Sequence, residues 1–216
     1  MGISGKKAYL FDFDGTLVDS MPTYVSVMLR ILDENGVKYE SDIIKTITPL
    51  GYKGTAEYYQ ALGVRLPVDE MVDTMKAYAE EAYTYHVMDK AGVKDTLEVL
   101  KRDFSLNVLT ASPHKLLDPC LKRLGMWELF DNIWSCDDFN TSKANPEIYK
   151  MAAQRIGVSV DEMIFVDDNI DAVKTSKRAG VTTVGIYDRS SHELIDQMKK
   201  EADGYVLTFD ALLDIK

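Results

Sequence analysis

Residues 8–20 read AYLFDFDGTLVDS, and this stretch decides the fold. An apolar run from Ala8 to Phe11 stops at Asp12; Asp14 follows one residue later, then Gly15 and Thr16. A short apolar segment with no helical spacing reads as a buried strand. Glycine directly after the second acid suits a sharp turn whose amide groups can approach an anion. Two carboxylates are thus delivered to the rim of a buried strand. Such crowding is unfavourable unless a hard cation takes oxygen ligands from them.

Working outward, the other strand expectations are 106–110, 132–136, 163–167, 182–187 and 204–209, with the first strand over 8–13. Several are apolar almost throughout, as strands covered on both faces are. Amphipathic patterns at 94–102, 114–124, 146–156, 172–179 and 192–200 separate them. Strands alternating with helices predict an α/β fold, a doubly wound parallel sheet with a Rossmann-like core. Between about 17 and 88 the rhythm changes to helix alone, at 22–34, 41–47, 55–62 and 68–86. In the last of these Met71, Met75, Tyr78, Ala82 and Tyr83 form one apolar stripe, read as core. The expected organisation is a catalytic core of 1–17 and 88–216 carrying an inserted all-α lobe of 18–87.

Composition narrows the function. The 216 residues hold 25 basic and 35 acidic side chains, a formal charge of -10. A general nucleic-acid or anionic-membrane surface needs the opposite field. An anionic ligand would have to be met by a local device. Two cysteines, Cys120 and Cys136, are too few for a disulfide framework, and no apolar run approaches the length of a membrane span or a secretion signal. The expectation is a cytoplasmic protein.

In open parallel sheets ligands bind beyond the carboxyl ends of the strands. Polar residues collect at those ends: Asp12 and Asp14, then Thr110 and Ser112, then Lys143 beyond 132–136, then Asp167 and Asp168. The acids read as a Mg2+ site formed by Asp12, Asp14, Asp167 and Asp168. The carboxylate of Asp12 would attack a phosphorus atom, with Asp14 as acid to the leaving oxygen and then as base to water. Gly15, Thr16, Thr110 and Lys143 would cradle the phosphate. Blander readings stand beside these. Asp167 and Asp168 suit a helix cap before Ile170; Thr110 and Ser112 suit a cap near Pro113; and Lys143 alone is an ordinary surface lysine. His86, His114 and His192 show no metal-ligand spacing, although His114 lies near the expected rim.

Together these residues resemble the haloacid dehalogenase superfamily over nearly the whole chain. DFDGTLVDS is similar to its first motif, NVLTAS to its second, SKANPEIY to its third and MIFVDDNIDAVKTSKRAGV to its fourth. The resemblance implies nucleophile Asp12, acid/base Asp14, phosphate contacts from Thr110 and the Ala111 amide, charge from Lys143, and magnesium on Asp167 and Asp168. It implies that Asp14 ligates the metal through its backbone carbonyl, leaving the carboxylate for proton transfer. Two positions depart from the pattern: Ala144 stands where a proline usually follows the lysine, and Ala172 stands where many relatives carry an acid or asparagine, which leaves Asp171 near the metal ligands without being one.

The resemblance further implies that 18–87 is a helical cap reading the leaving group, with Lys53 in PLGYKGTAEYY as the candidate substrate contact. Asp14 sets the chain apart from the dehalogenases. The expected function is a magnesium-dependent phosphatase of small phosphorylated metabolites, phosphoglycolate-like or sugar phosphates. The alternative is a phosphomutase of the beta-phosphoglucomutase type, whose members tend to place a histidine where this chain has DSMPTYV. A receiver-like signalling module fits the motif order less well, and against a silent phospho-ligand binder every expected catalytic position is filled. No nucleic-acid or membrane partner is expected, and the chain itself would be a monomer or weak homodimer.

Overall fold

A computed structural model describes residues 2–40 and 42–215. Among these residues six parallel strands form one sheet: β1 Ala8–Phe11, β2 Ser105–Thr110, β3 Asn132–Ser135, β4 Met163–Asp167, β5 Thr182–Ile186 and β6 Gly204–Val206. Their order is β3-β2-β1-β4-β5-β6, with β1 central. The chain builds outward from β1 in one direction and then, from β4, in the other. The switch point therefore falls between β1 and β4.

Period-two alternation sorts β1 onto two cores. Ala8 and Leu10 pack with Phe165, Ile148 and Tyr149. Tyr9 and Phe11 face an aromatic group, with Phe104 at 5.1 Å from Tyr9 and Phe209 at 5.6 Å from Phe11. The flanking helices are α5 Val93–Leu100, α6 His114–Arg123, α7 Glu147–Ile156, α8 Ile170–Arg178 and α9 Ile195–Glu201, numbered after the four helices described next. Leu10 and Phe165 have no exposed surface, so truncating either to alanine should cost about 2–5 kcal/mol.

The chain divides into two compact units, one of them running Ser20–Val87. It holds α1 Met21–Glu34, α2 Ile43–Ile47, α3 Gly51–Ala61 and α4 Val68–Tyr85. The helix expected at 41–47 begins at a residue, Ser41, outside the described ones, and α3 starts four residues earlier than the 55–62 pattern. This unit has its own core of Met28, Ile31, Leu32, Ile47, Tyr59 and Met75, among others, so the apolar stripe on α4 is core. Tyr59, fully buried, donates its hydroxyl to the Met28 carbonyl at 2.9 Å.

The sheet unit keeps Val18 and Asp19. The reason is a short pairing with the returning chain: Val18 bridges Asp89, the Asp19 amide donates to Met88 O at 2.9 Å, and the Lys90 amide donates to Leu17 O at 3.0 Å. Among the described residues no helix is long and apolar enough to cross a membrane.

Candidate active site

Strand register brings the polar ends together. Phe11 lies beside Val108 of β2 and Val166 of β4, so Asp12 leaves the sheet level with Asp167, and Thr110 ends β2 opposite Ser135 of β3. The Asp12 amide still donates to Val166 O at 2.9 Å, which holds the first residue past β1 in sheet geometry. Alternation then sends Asp12 to the face of Leu10, the face covered by α7, just beyond the loop that carries Lys143.

Lys143 Nζ donates to Asp12 Oδ1 at 2.5 Å and to Asp167 Oδ2 at 2.8 Å. Asp12, Asp167 and Asp168 each offer a carboxylate oxygen within 4.8 Å of the others. Asp12 and Asp167 are buried, and Asp168 is half-buried. Burial first, and then Asp167 and Asp14, push Asp12 up to about 7 although Lys143 pulls it down. Burial, Asp167, Asp12 and Asp188 hold Asp168 well above the carboxylate range. Burial alone would lower Lys143, but Asp12 and Asp167 outweigh it and keep the ammonium charged. One ammonium thus faces three carboxylates. A surplus of hard oxygen donors with raised protonation is the donor set that suits a divalent cation such as magnesium. The residues present fit that group, and Asp12, Asp167 and Asp168 would hold it.

Gly15 explains the turn. Its φ is +77°, and a Cβ there would lie 2.7 Å from Asp168 Oδ2. Any side chain would collide with the acid that the turn cradles. Thr16, also buried, sits 3.4 Å from Asp168 Oδ1 through its hydroxyl. The carboxylate of Asp14 is outside the three-acid cluster. It accepts a hydrogen bond from Ser112 Oγ at 2.5 Å.

Several sequence readings change here. Ser112 does not cap α6; its amide donates to Thr110 Oγ1 at 3.0 Å and its hydroxyl serves Asp14. Helix α8 is capped by Asn169, whose Oδ1 accepts from the Asp171 and Ala172 amides, rather than by Asp167 or Asp168. Asp167 instead accepts from the Asn169 amide at 2.7 Å, which orients it. Asp171 is exposed and outside the acidic cluster. Both ring nitrogens of His114 are engaged, by Asp118 and Asp138 at 2.8 Å each, so it braces α6 against the turn after β3. Ala111 is exposed at the mouth of the turn, beside Thr110. Lys53 stands exposed in the first turn of α3, in the helical unit.

The loop of Lys143 manages without a proline at Ala144. Tyr149 brings its hydroxyl to 3.1 Å from Lys143 O and 3.2 Å from Ala172 O, and Asn145 Oδ1 accepts from the Glu147 amide at 3.1 Å. Those contacts tie the lysine backbone to α7 and α8.

The model of the haloacid dehalogenase-like hydrolases matches residues 9–186. Pyrophosphatase PpaX of Bacillus velezensis is 30% identical over 182 residues, covering 83% of this chain and 82% of that protein. Phosphoglycolate phosphatase of Colwellia psychrerythraea is 25% identical over 195 residues, 86% of each. A hydrolase of the family from Deinococcus radiodurans, solved with bound phosphate and sodium, superposes with a TM-score of 0.79 at 22% identity over 97% of this chain and 94% of that one. The chain belongs to the haloacid dehalogenase-like hydrolases. It is an enzyme, and its activity is that of a phosphatase.

Proposed function

We propose that the protein hydrolyses small phosphorylated metabolites, phosphoglycolate-like or sugar phosphates, in a magnesium-dependent reaction with a phosphorylated Asp12. The observation that carries this reading is the meeting of Asp12, Lys143 and the Asp167–Asp168 pair, from three separate segments, at the carboxyl end of the sheet. Magnesium at the three acids would supply positive charge against the phosphoryl oxygens.

The side chains divide the rest of the work. Asp12 Oδ attacks phosphorus; the new O–P bond forms as the bond to the leaving oxygen breaks, and Asp14 gives its proton to that oxygen. Water then attacks the phosphorylated Asp12, Asp14 takes the proton back, and inorganic phosphate leaves. Ser112, donating to Asp14, fixes the rotamer from which both transfers occur. Thr110 Oγ1 accepts from Ser112 and retains its own proton for a phosphate oxygen, next to the Ala111 and Thr16 amides; the Gly15 amide, expected to join them, is instead bonded to Val18 O at 2.9 Å and shapes the turn. Lys143 keeps its charge and offers it to the phosphoryl group. To the helical unit we assign the choice of leaving group, with Lys53 as the candidate residue.

The test is Asp12→Asn with magnesium present. Turnover of an aryl phosphate should fall by at least about 10³-fold, since the amide is a poor nucleophile. Activity at a tenth of the parent rate would sink the covalent route, and isomerised sugar phosphate without free phosphate would convert the reading to a mutase.

A further inference from the structure

Lys90 makes no hydrogen bond to the three clustered acids and belongs to no sequence motif singled out above. Its side chain is 19% exposed, and its ammonium spends all three donors on protein acceptors: Gly15 O at 2.6 Å, Tyr187 O at 2.6 Å and Asp188 Oδ2 at 3.1 Å. We propose that Lys90 is a positioning residue for the Asp14 turn, a reading that rests on Asp14 as the acid/base.

The physical need comes from Gly15. A glycine at φ +77° samples more backbone conformations than any other residue, so a turn that hinges on it has to be held from outside. Its amide is fixed by Val18 O at 2.9 Å, but its carbonyl is fixed by Lys90. Lys90 also grips the far end of the same turn through its main chain, with its amide on Leu17 O. The ammonium is itself anchored. Asp188 is 4% exposed and held by the Ser190 amide at 2.8 Å and hydroxyl at 2.6 Å, and the Tyr187 amide is bonded to Val206 O at 2.9 Å. The turn bearing Asp14 is therefore referenced to the end of β5 and to β6, two and three strands away from β1. Because even a Cβ on Gly15 would fall 2.7 Å from Asp168 Oδ2, a shift of this turn would displace Asp14 and crowd Asp168 together.

A stabilising ion pair and a positioning device differ in one readout. General acid catalysis matters most where the leaving oxygen is basic, so a misplaced Asp14 should penalise poor leaving groups selectively. Single-turnover phosphorylation of the enzyme at saturating magnesium, measured with an alkyl phosphate and with 2,4-dinitrophenyl phosphate, reads this directly. Lys90→Met should slow the alkyl phosphate by about 20-fold or more and the dinitrophenyl ester by less than about threefold, within the range such acids supply. Lys90→Gln keeps an amide N–H that can donate to one of the two carbonyls and should show the same selectivity at about fivefold; it serves where the methionine variant does not fold. Equal losses on both esters, or none, would overturn the proposal. Asp14→Asn is the control. Selective loss there with a uniform loss in the Lys90 variants overturns the Lys90 proposal alone, whereas a uniform loss there removes the acid role of Asp14 and the Lys90 proposal with it.

Discussion

The two units of this chain solve different problems with similar materials. The sheet unit carries its acids on a buried scaffold, where Asp167 has no exposed surface and Asp12 only 4%. The helical unit buries methionine, isoleucine and tyrosine and leaves its charges at the surface, as in the Arg30 pairs with Glu34 and Glu81. Exposed pairs of that kind contribute little. Stability and chemistry therefore compete in the first unit and hardly meet in the second. The acidic cluster works against its own fold, because burial and mutual repulsion raise Asp12 and Asp168, while the helical core has no such conflict.

Substitutions can break or sharpen that contrast. The largest effect belongs to Asp12→Asn: activity should fall by about 10³-fold or more while thermal stability without metal holds or rises, because a destabilised carboxylate is removed. Since the folded-state value of Asp12 is raised, its ionised form costs stability as pH climbs toward 7, and the variant's advantage should grow over that range. A variant that both loses activity and melts earlier would refute the conflict. Met75→Ala should do the reverse, lowering stability by about 2–5 kcal/mol in urea titration, because Met75 is fully buried in the helical core. A loss under 1 kcal/mol would show that this core is loosely packed. Ser112→Ala should slow turnover by roughly tenfold with little change in melting temperature, as one hydrogen bond to Asp14, the proposed acid/base, is lost.

The smallest effect is electrostatic. Burial pushes the Asp188 carboxyl up, but the Ser190 hydroxyl and amide and the Lys90 ammonium outweigh it and hold it below the ordinary 3.8. A lowered folded-state value means stability that is present above 3.8 and is lost as pH falls through the folded value. Asp188→Asn should therefore melt earlier than the parent at neutral pH and converge with it in acid. A gap that persists unchanged at low pH would assign the effect to packing instead.

What could be read from the chain and what could not differ by the kind of contact involved. Asp12, Asp14 and Gly15 are legible because they are adjacent, and their chemistry follows from local order. The strands and most helices are legible because burial imposes a period. Lys143 and Thr110 are isolated polar residues that only the order of the motifs marks out. Ser112 reads as a helix cap because a serine before proline and a helix favours that role, but its hydroxyl's partner lies 98 residues away. Lys90 carried no signal at all, because its acceptors are two backbone carbonyls and an acid 98 positions on.

The sequence by itself determined the parallel sheet, the all-helical insertion and the carboxylates that end β1 and β4, because hydrophobic periodicity and neighbouring residues act over short distances. Tertiary structure alone decided that Lys143 bridges Asp12 and Asp167, that Ser112 holds Asp14, and that a lysine after the insertion fixes the Gly15 turn. Those contacts depend on strand register and on loops meeting across the sheet, and a one-dimensional pattern does not encode which distant donor reaches which acceptor.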